Sequence, residues 1–236
     1  MMTKSNQNVS VSIDKISEFC QIVFMNAQIF PNIDEKQGRI LSAAIEVFSM
    51  YGVKRASMED IARGAGMSRA ALYQYFRNKE DILAHGVVAF FDMEAEELRQ
   101  ALRPGRPVED AVRAGCCARV GPLAKMLLDS PHGEEMLAIK SGEAARLAEE
   151  GNARIAAIWT EWLDGEAAAG RGVLPDALAG PFMQAAGIDR LDANAAAVAE
   201  AIIAGQFGQK TIARSFQDYL DRVGVFAGLM ARSLKP

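Results

Sequence analysis

From residue 36 to residue 51 the apolar residues Ile40, Ala44, Val47, Phe48 and Tyr51 recur at the spacing of one face of an α-helix. Gly52 follows as a stop, because glycine accepts the left-handed backbone that closes many helices. Ser57-Met58-Glu59-Asp60 then carries a start signal: a hydroxyl that can cap free amides, with acids near the positive end of the helix. This second helix reaches only to about Arg63, since Gly64-Ala65-Gly66 favours a tight turn. Ser68 offers an N-cap to a short third helix over 69–75, and Asn78 caps a fourth that opens on Lys79-Glu80-Asp81.

Beyond residue 82 the chain is rich in Ala, Leu and Glu and reads as helical. Breaks are expected at Pro104-Gly105, Ser130-Pro131-His132-Gly133, Gly151, 170–175 and Gly180-Pro181. The last two helices are predicted over 193–207, capped by Asp192, and over 215–234. No alternating strand pattern runs for more than a few residues and no repeat of solenoid length stands out, so an all-α fold is predicted. Residues 1–33 turn from polar to apolar between Phe19 and Phe30 and read as an N-terminal extension, either mobile or packed on the body.

At 236 residues, with 50% hydrophobic and 24% charged content, the chain has the composition of an ordinary globular protein. It lacks any apolar run of about 18 residues, the length a membrane helix needs. Asp14, Lys15 and Glu18 interrupt the stretch where a secretory signal would place its apolar core. Cys20, Cys116 and Cys117 show no framework spacing. A cytoplasmic protein without membrane association is expected. A net charge of −4 at first argues against nucleic acid, whose phosphates call for Lys and Arg. The distribution reverses that argument for one segment. Between 36 and 80, Lys36, Arg39, Lys54, Arg55, Arg63, Arg69, Arg77 and Lys79 outnumber Glu46, Glu59, Asp60 and Glu80. A basic head on an acidic body suits a molecule with one DNA-facing end.

Residues 58–77 have helix, turn and helix in the proportions of a DNA-binding helix-turn-helix. Ala62 lets the helices approach, Gly66 makes the turn, and Ile61, Leu72 and Phe76 supply the buried seam. The residues Ser57-Met58-Glu59-Asp60-Ile61-Ala62, Gly66 and Leu72-Tyr73-Gln74-Tyr75-Phe76-Arg77-Asn78-Lys79 resemble the signature of the TetR family of transcriptional regulators. Leu-Tyr-x-Tyr-Phe-x-x-Lys is its most specific part. The remainder of the chain resembles the family only in being helical and of suitable length.

The resemblance implies a three-helix DNA-binding domain over 34–80, joined to a larger helical ligand-binding and dimerisation domain over 81–236. The helix over 69–75 would enter the major groove with Arg69, Ala70 and Ala71 facing base edges, Arg69 reading guanine. Glu59 on the preceding helix could accept from cytosine, and Met58 beside it is grouped with the same face. Tyr73, Tyr75, Lys79 and the caps Ser57 and Ser68 would hold phosphates, with Lys54 and Arg63 adding attraction to the backbone. Tyr73 could instead pack in the core. Two alanines beside Arg69 make a sparse reading surface, which leaves part of the specificity to flanking contacts or DNA shape.

Double-stranded operator DNA with half-sites about 34–36 Å apart requires two such heads, hence a homodimer. In the family the last two helices pair with those of a partner. Here Ala201, Ala204, Gly205 and Gly208, with Gly224, Ala227, Gly228 and Ala231, offer small faces for that approach, although the same residues could pack inside one subunit. Phe90, Met93, Met126, Met136, Trp159, Trp162, Phe182 and Met183 are the candidate lining of an effector chamber, and a small hydrophobic or aromatic effector is expected. Catalytic motifs are missing, His85 and His132 stand apart from other metal ligands, and Cys116-Cys117 read as packing residues; no enzyme activity, cofactor or metal is expected. The expected function is a ligand-responsive repressor, released from a palindromic operator by an inducer that prefers the splayed state. The alternative is an activator or co-regulator whose body binds a protein partner.

Overall fold

The computed structural model describes residues 30, 33–133, 136, 141–171 and 194–234, so most of the extension, the expected breaks at 172–175 and Gly180-Pro181, and the candidates Phe182 and Met183 lie outside the described residues. Every described element is an α-helix: α1 (Glu35–Tyr51), α2 (Met58–Gly64), α3 (Arg69–Leu72), α4 (Lys79–Ala101), α5 (Val108–Cys117), α6 (Pro122–Leu128), α7 (Gly142–Ala168), α8 (Ala195–Ile212) and α9 (Phe216–Ser233).

Local side-chain chemistry sets most of the helix starts. Asp34 accepts from the amides of Lys36 and Gln37 at 3.0 and 3.2 Å. Ser57, Ser68, Asn78 and Ser215 each accept from an amide three residues on. A cap of this kind contributes about 1 kcal/mol. Asn194, not Asp192, caps α8, and that helix continues past Phe207 to Ile212. Gly151 does not break α7, which runs through it without interruption. A Cβ there would lie 2.2 Å from Cγ of Phe91, so the glycine is a socket for an α4 ring and not a stop. Gly115 of α5 receives Trp159 of α7 in the same way, at 2.5 Å from the ring.

Two main cores result. The head core closes α1, α2 and α3 around Ile40, Phe48, Ile61, Leu72 and Phe76. The body core joins α4, α5, α7, α8 and α9 around Leu98, Val112, Ile155, Trp159, Leu163 and Ile202. Helix α4 belongs to both: Ile82 and Ala89 sit in the head core, Phe91, Ala95 and Leu98 in the body core. Leu123 and Leu127 of α6 also reach the head core. A shift of α4 is therefore felt at both ends of the molecule.

Candidate nucleic-acid interface and effector cavity

In the turn between α2 and α3, Gly66 adopts φ 67°, the left-handed region that the sequence reserved for glycine. The amides of Ala65 and Met67 close back onto the carbonyls of Ile61 and Ala62 at 2.9 and 3.0 Å. Ala62 is buried at the crossing, and a Cβ placed on Gly64 would meet the Cβ of Ala43 at 3.2 Å, so α2 lies hard against α1. With Leu72 and Phe76 turned inward, α3 and the turn after it leave Ser68, Arg69, Ala70, Tyr73 and Gln74 exposed, and Ala71 half-buried. The Arg69 guanidinium lies 5.5 Å from the Tyr73 ring centroid and donates to its hydroxyl at 3.3 Å. Tyr73 is 45% exposed, which removes the core-packing alternative for it. Glu59, Lys54 and Arg63 are exposed nearby, Arg63 in an ion pair with Asp60 at 3.4 Å.

Several candidates have other roles in the isolated chain. Met58 is buried, 8% exposed, and belongs to the head core, not to the DNA-facing surface. Lys79 donates to the carbonyls of Lys54 and Ala56 at 2.9 and 3.0 Å, so its ammonium clamps the start of α4 onto the α1–α2 connection. Tyr75 is half-buried against the head core. The Ser57 hydroxyl donates to Asp60 at 2.5 Å while accepting the Asp60 amide, and this bond holds the Asp60 carboxyl below its usual range. Arg77 pairs with Asp81 at 2.8 Å, lowering that carboxyl, and His85 stands edge-on to Phe76 at 5.2 Å; together they tie the end of the motif to α4. Gln74, one turn beyond Ala70 on the same face, was not among the expected DNA contacts, though the helical spacing from Ala70 could have indicated it.

A cavity of about 150 Å³ lies between head and body. Of the described candidate lining residues, Phe90 and Met136 line this cavity, whereas Met93, Met126, Trp159 and Trp162 do not. Trp159 is 1% exposed, fills the body core and stands edge-on to Trp162 at 6.0 Å; Met126 packs on the head core. The wall that sequence reasoning missed comes largely from α1: Leu41, Ala44, Ile45 and Phe48. Phe91 of α4, Leu123 and Leu127 of α6, and Arg119, Asn152 and Lys210 complete it. A ligand here would touch the head and the body at once. Cys116 is fully buried, and burial pushes its thiol up to about 12, so it is a packing residue without thiolate character. No group of three potential metal ligands occurs, and no helix is long and apolar enough to cross a membrane, among the described residues.

The small stripes on the last two helices part company. Gly224, Ala227, Gly228 and Ala231 of α9 are buried within the chain, where α9 packs on α5, so they do not form an outward dimer face. Ala201 and Ala204 of α8 are exposed; Gly205 seats the Phe226 ring of α9, and Gly208 is half-buried. Exposed beside them are Phe207 and Ile212 of α8 and Val225 and Leu229 of α9, each more than half accessible.

A basic three-helix head that presents a capped helix over a glycine turn, carried on a larger helical body, places this molecule among the helix-turn-helix DNA-binding proteins. Residues 40–85 match the family described as bacterial regulatory proteins, tetR family. The HTH-type transcriptional activator FasR of Mycolicibacterium smegmatis is 37% identical over 81 residues, 34% of this chain and 37% of FasR. The chain thus spans well under half the length of that relative. Among solved structures, the fatty acid degradation regulator FadR of Bacillus halodurans superposes with a TM-score of 0.61 at 17% identity, over 86% of this chain and 96% of its own. SmeT, the repressor of a Stenotrophomonas maltophilia multidrug efflux pump, gives 0.57 at 21% identity over 84% and 89%, and a SmeT complex with triclosan is also similar. At these identities the superpositions establish a shared fold.

Proposed function

We propose that the protein is a ligand-responsive transcriptional repressor that binds a palindromic operator as a homodimer and leaves it when a small apolar or aromatic molecule occupies the cavity between head and body. The observation that carries this reading is the exposed face of Ser68, Arg69, Ala70, Tyr73 and Gln74, presented by the capped α3 and the turn that follows it, over a buried seam. Arg69, bidentate to guanine, would supply about 1–3 kcal/mol of discrimination; Tyr73, Ser68 and Lys54 would hold phosphates. The cavity supports release by linkage: a ligand between α1 and α4 that fits better when the head is displaced from its DNA-competent position weakens DNA binding by that difference in affinity. The triclosan complex of SmeT supports a small-molecule effector, and FasR, an activator, supports keeping activation as the second reading.

Binding of the purified protein to the DNA flanking its own coding region, followed by fluorescence anisotropy at two salt concentrations, tests the reading. Wild type should bind tightly and lose affinity as salt rises. Arg69→Ala and Tyr73→Ala should each weaken binding about tenfold or more, since about 1.4 kcal/mol corresponds to tenfold. Variants that bind like wild type would remove α3 as the reading helix. A reporter placed behind the operator separates repression from activation.

For the homodimer, the support lies in Phe207, Ile212, Val225 and Leu229, half of the eight large apolar side chains exposed among the described residues and all on the last two helices. Val225→Glu with Leu229→Glu is expected to convert a two-chain species to single chains in analytical ultracentrifugation. The same double substitution should abolish tight operator binding while leaving the helical content unchanged. A wild type that sediments as one chain at micromolar concentration would refute the dimer.

A further inference from the structure

We propose that the cavity takes an amphiphile with a single oxyanion, its apolar part against Phe48, Phe90 and Phe91 and its charged end on Lys210 and Arg119. This rests on the reading of the cavity as an effector chamber and gives that chamber a ligand class.

Among the described residues the lining is apolar except at one place, where Arg119, Asn152 and Lys210 meet the cavity. Arg119 donates to Asn152 at 3.2 Å and to Glu94 at 3.1 Å. Glu94 is the carboxylate that answers these charges, but it is 2% exposed and does not line the cavity. What the described lining presents to the cavity is therefore two cations and an amide. Lys210 makes no hydrogen bond or ion pair among the described residues; its ammonium lies 5.8 Å from the centroid of the Phe90 ring. Burial pushes that ammonium down to about 8, with Arg119 adding like-charge repulsion and Glu94 only partly opposing them.

An ammonium set in an apolar wall beside a guanidinium is costly when the one carboxylate near both, Glu94, already pairs with the guanidinium, because one positive charge is left over with much of its hydration lost. A carboxylate or phosphate brought in by a ligand would supply that counter-charge through short, charge-assisted hydrogen bonds. A cationic ligand would meet two like charges, and a neutral one would leave Lys210 as it is. Position adds a consequence. Lys210 belongs to α8 and Phe48 to α1, so an occupant anchored by its charge on the body presses its apolar end on the head.

The test uses the full chain without DNA, titrated in a calorimeter with octanoate, octyl phosphate and octan-1-ol. At least one anion is expected to bind at one site, ten or more times tighter than the alcohol, and the two anions separate a carboxylate from a phosphate ligand. Lys210→Met should erase that preference while still binding octan-1-ol, which shows that the variant folds and keeps its cavity; Lys210→Arg should retain it. Equal binding of octan-1-ol and the anions, or an anion preference unchanged in Lys210→Met, overturns the oxyanion site and leaves the chamber standing. If none of the three probes binds, the chamber falls, and the proposal with it.

Discussion

Trp159→Ala is expected to destabilise the protein by about 3–5 kcal/mol, the range for truncating a large aromatic in a core that cannot collapse around the gap. The ring is 1% exposed and fills the socket opened by Gly115, where even a methyl group would come within 2.5 Å of it. It therefore locks α7 to α5, while its edge meets Trp162 at 6.0 Å. Folded proteins hold only about 5–15 kcal/mol in total, so this loss is a large fraction of the whole. Urea unfolding followed by circular dichroism reads it as a lowered midpoint with little change in slope. A shift below about 1 kcal/mol would mean that neighbouring side chains refill the space, and that the body core is looser than its burial indicates.

Gly151→Ala carries the second large effect, and its sign is the informative part. In an exposed helix interior this change would stabilise by up to about 1 kcal/mol, since alanine is the better helix former. Here the new Cβ would sit 2.2 Å from Cγ of Phe91 and 2.3 Å from its Cδ2, at the root of the ring where the side chain has little freedom to yield. Overpacking of this kind costs about 1–3 kcal/mol, which outweighs the propensity gain. In a Phe91→Ala background the same glycine substitution should become neutral or stabilising, and a double-mutant cycle of urea midpoints measures that reversal. Phe91 also lines the cavity, so the single variant should lose ligand binding through displacement of α4. A destabilisation that persists in the Phe91→Ala background would place the conflict elsewhere.

What was legible in the sequence was what acts over three or four residues. The serine and asparagine caps at 57, 68 and 78, the left-handed turn at Gly66 and the inward seam of Ile61, Leu72 and Phe76 need no distant partner, because the groups they satisfy are their immediate neighbours in the chain. The long-range readings fared differently. Gly151 carried the signature of a helix break and proved to be a packing socket, since a missing side chain serves a turn and a close helix contact equally well. Lys79 read as a phosphate ligand, and nothing in the sequence signalled that its ammonium also holds two carbonyls more than twenty positions away in the chain.

By itself, then, the sequence determined the head: its helix order, its turn and the outward side chains of α3, all consequences of local hydrogen bonding and helical period. Tertiary structure decided the rest. Small residues favour a close approach without naming the partner, and only the packing of α9 on α5 turned Gly224, Ala227, Gly228 and Ala231 inward, leaving Val225 and Leu229 to face out. A cavity is the space left between helices, so no single segment encodes it. Its walls came from α1, α4, α6, α7 and α8, and its charged end from Arg119, Asn152 and Lys210, residues far apart in the chain that meet only when the helices pack.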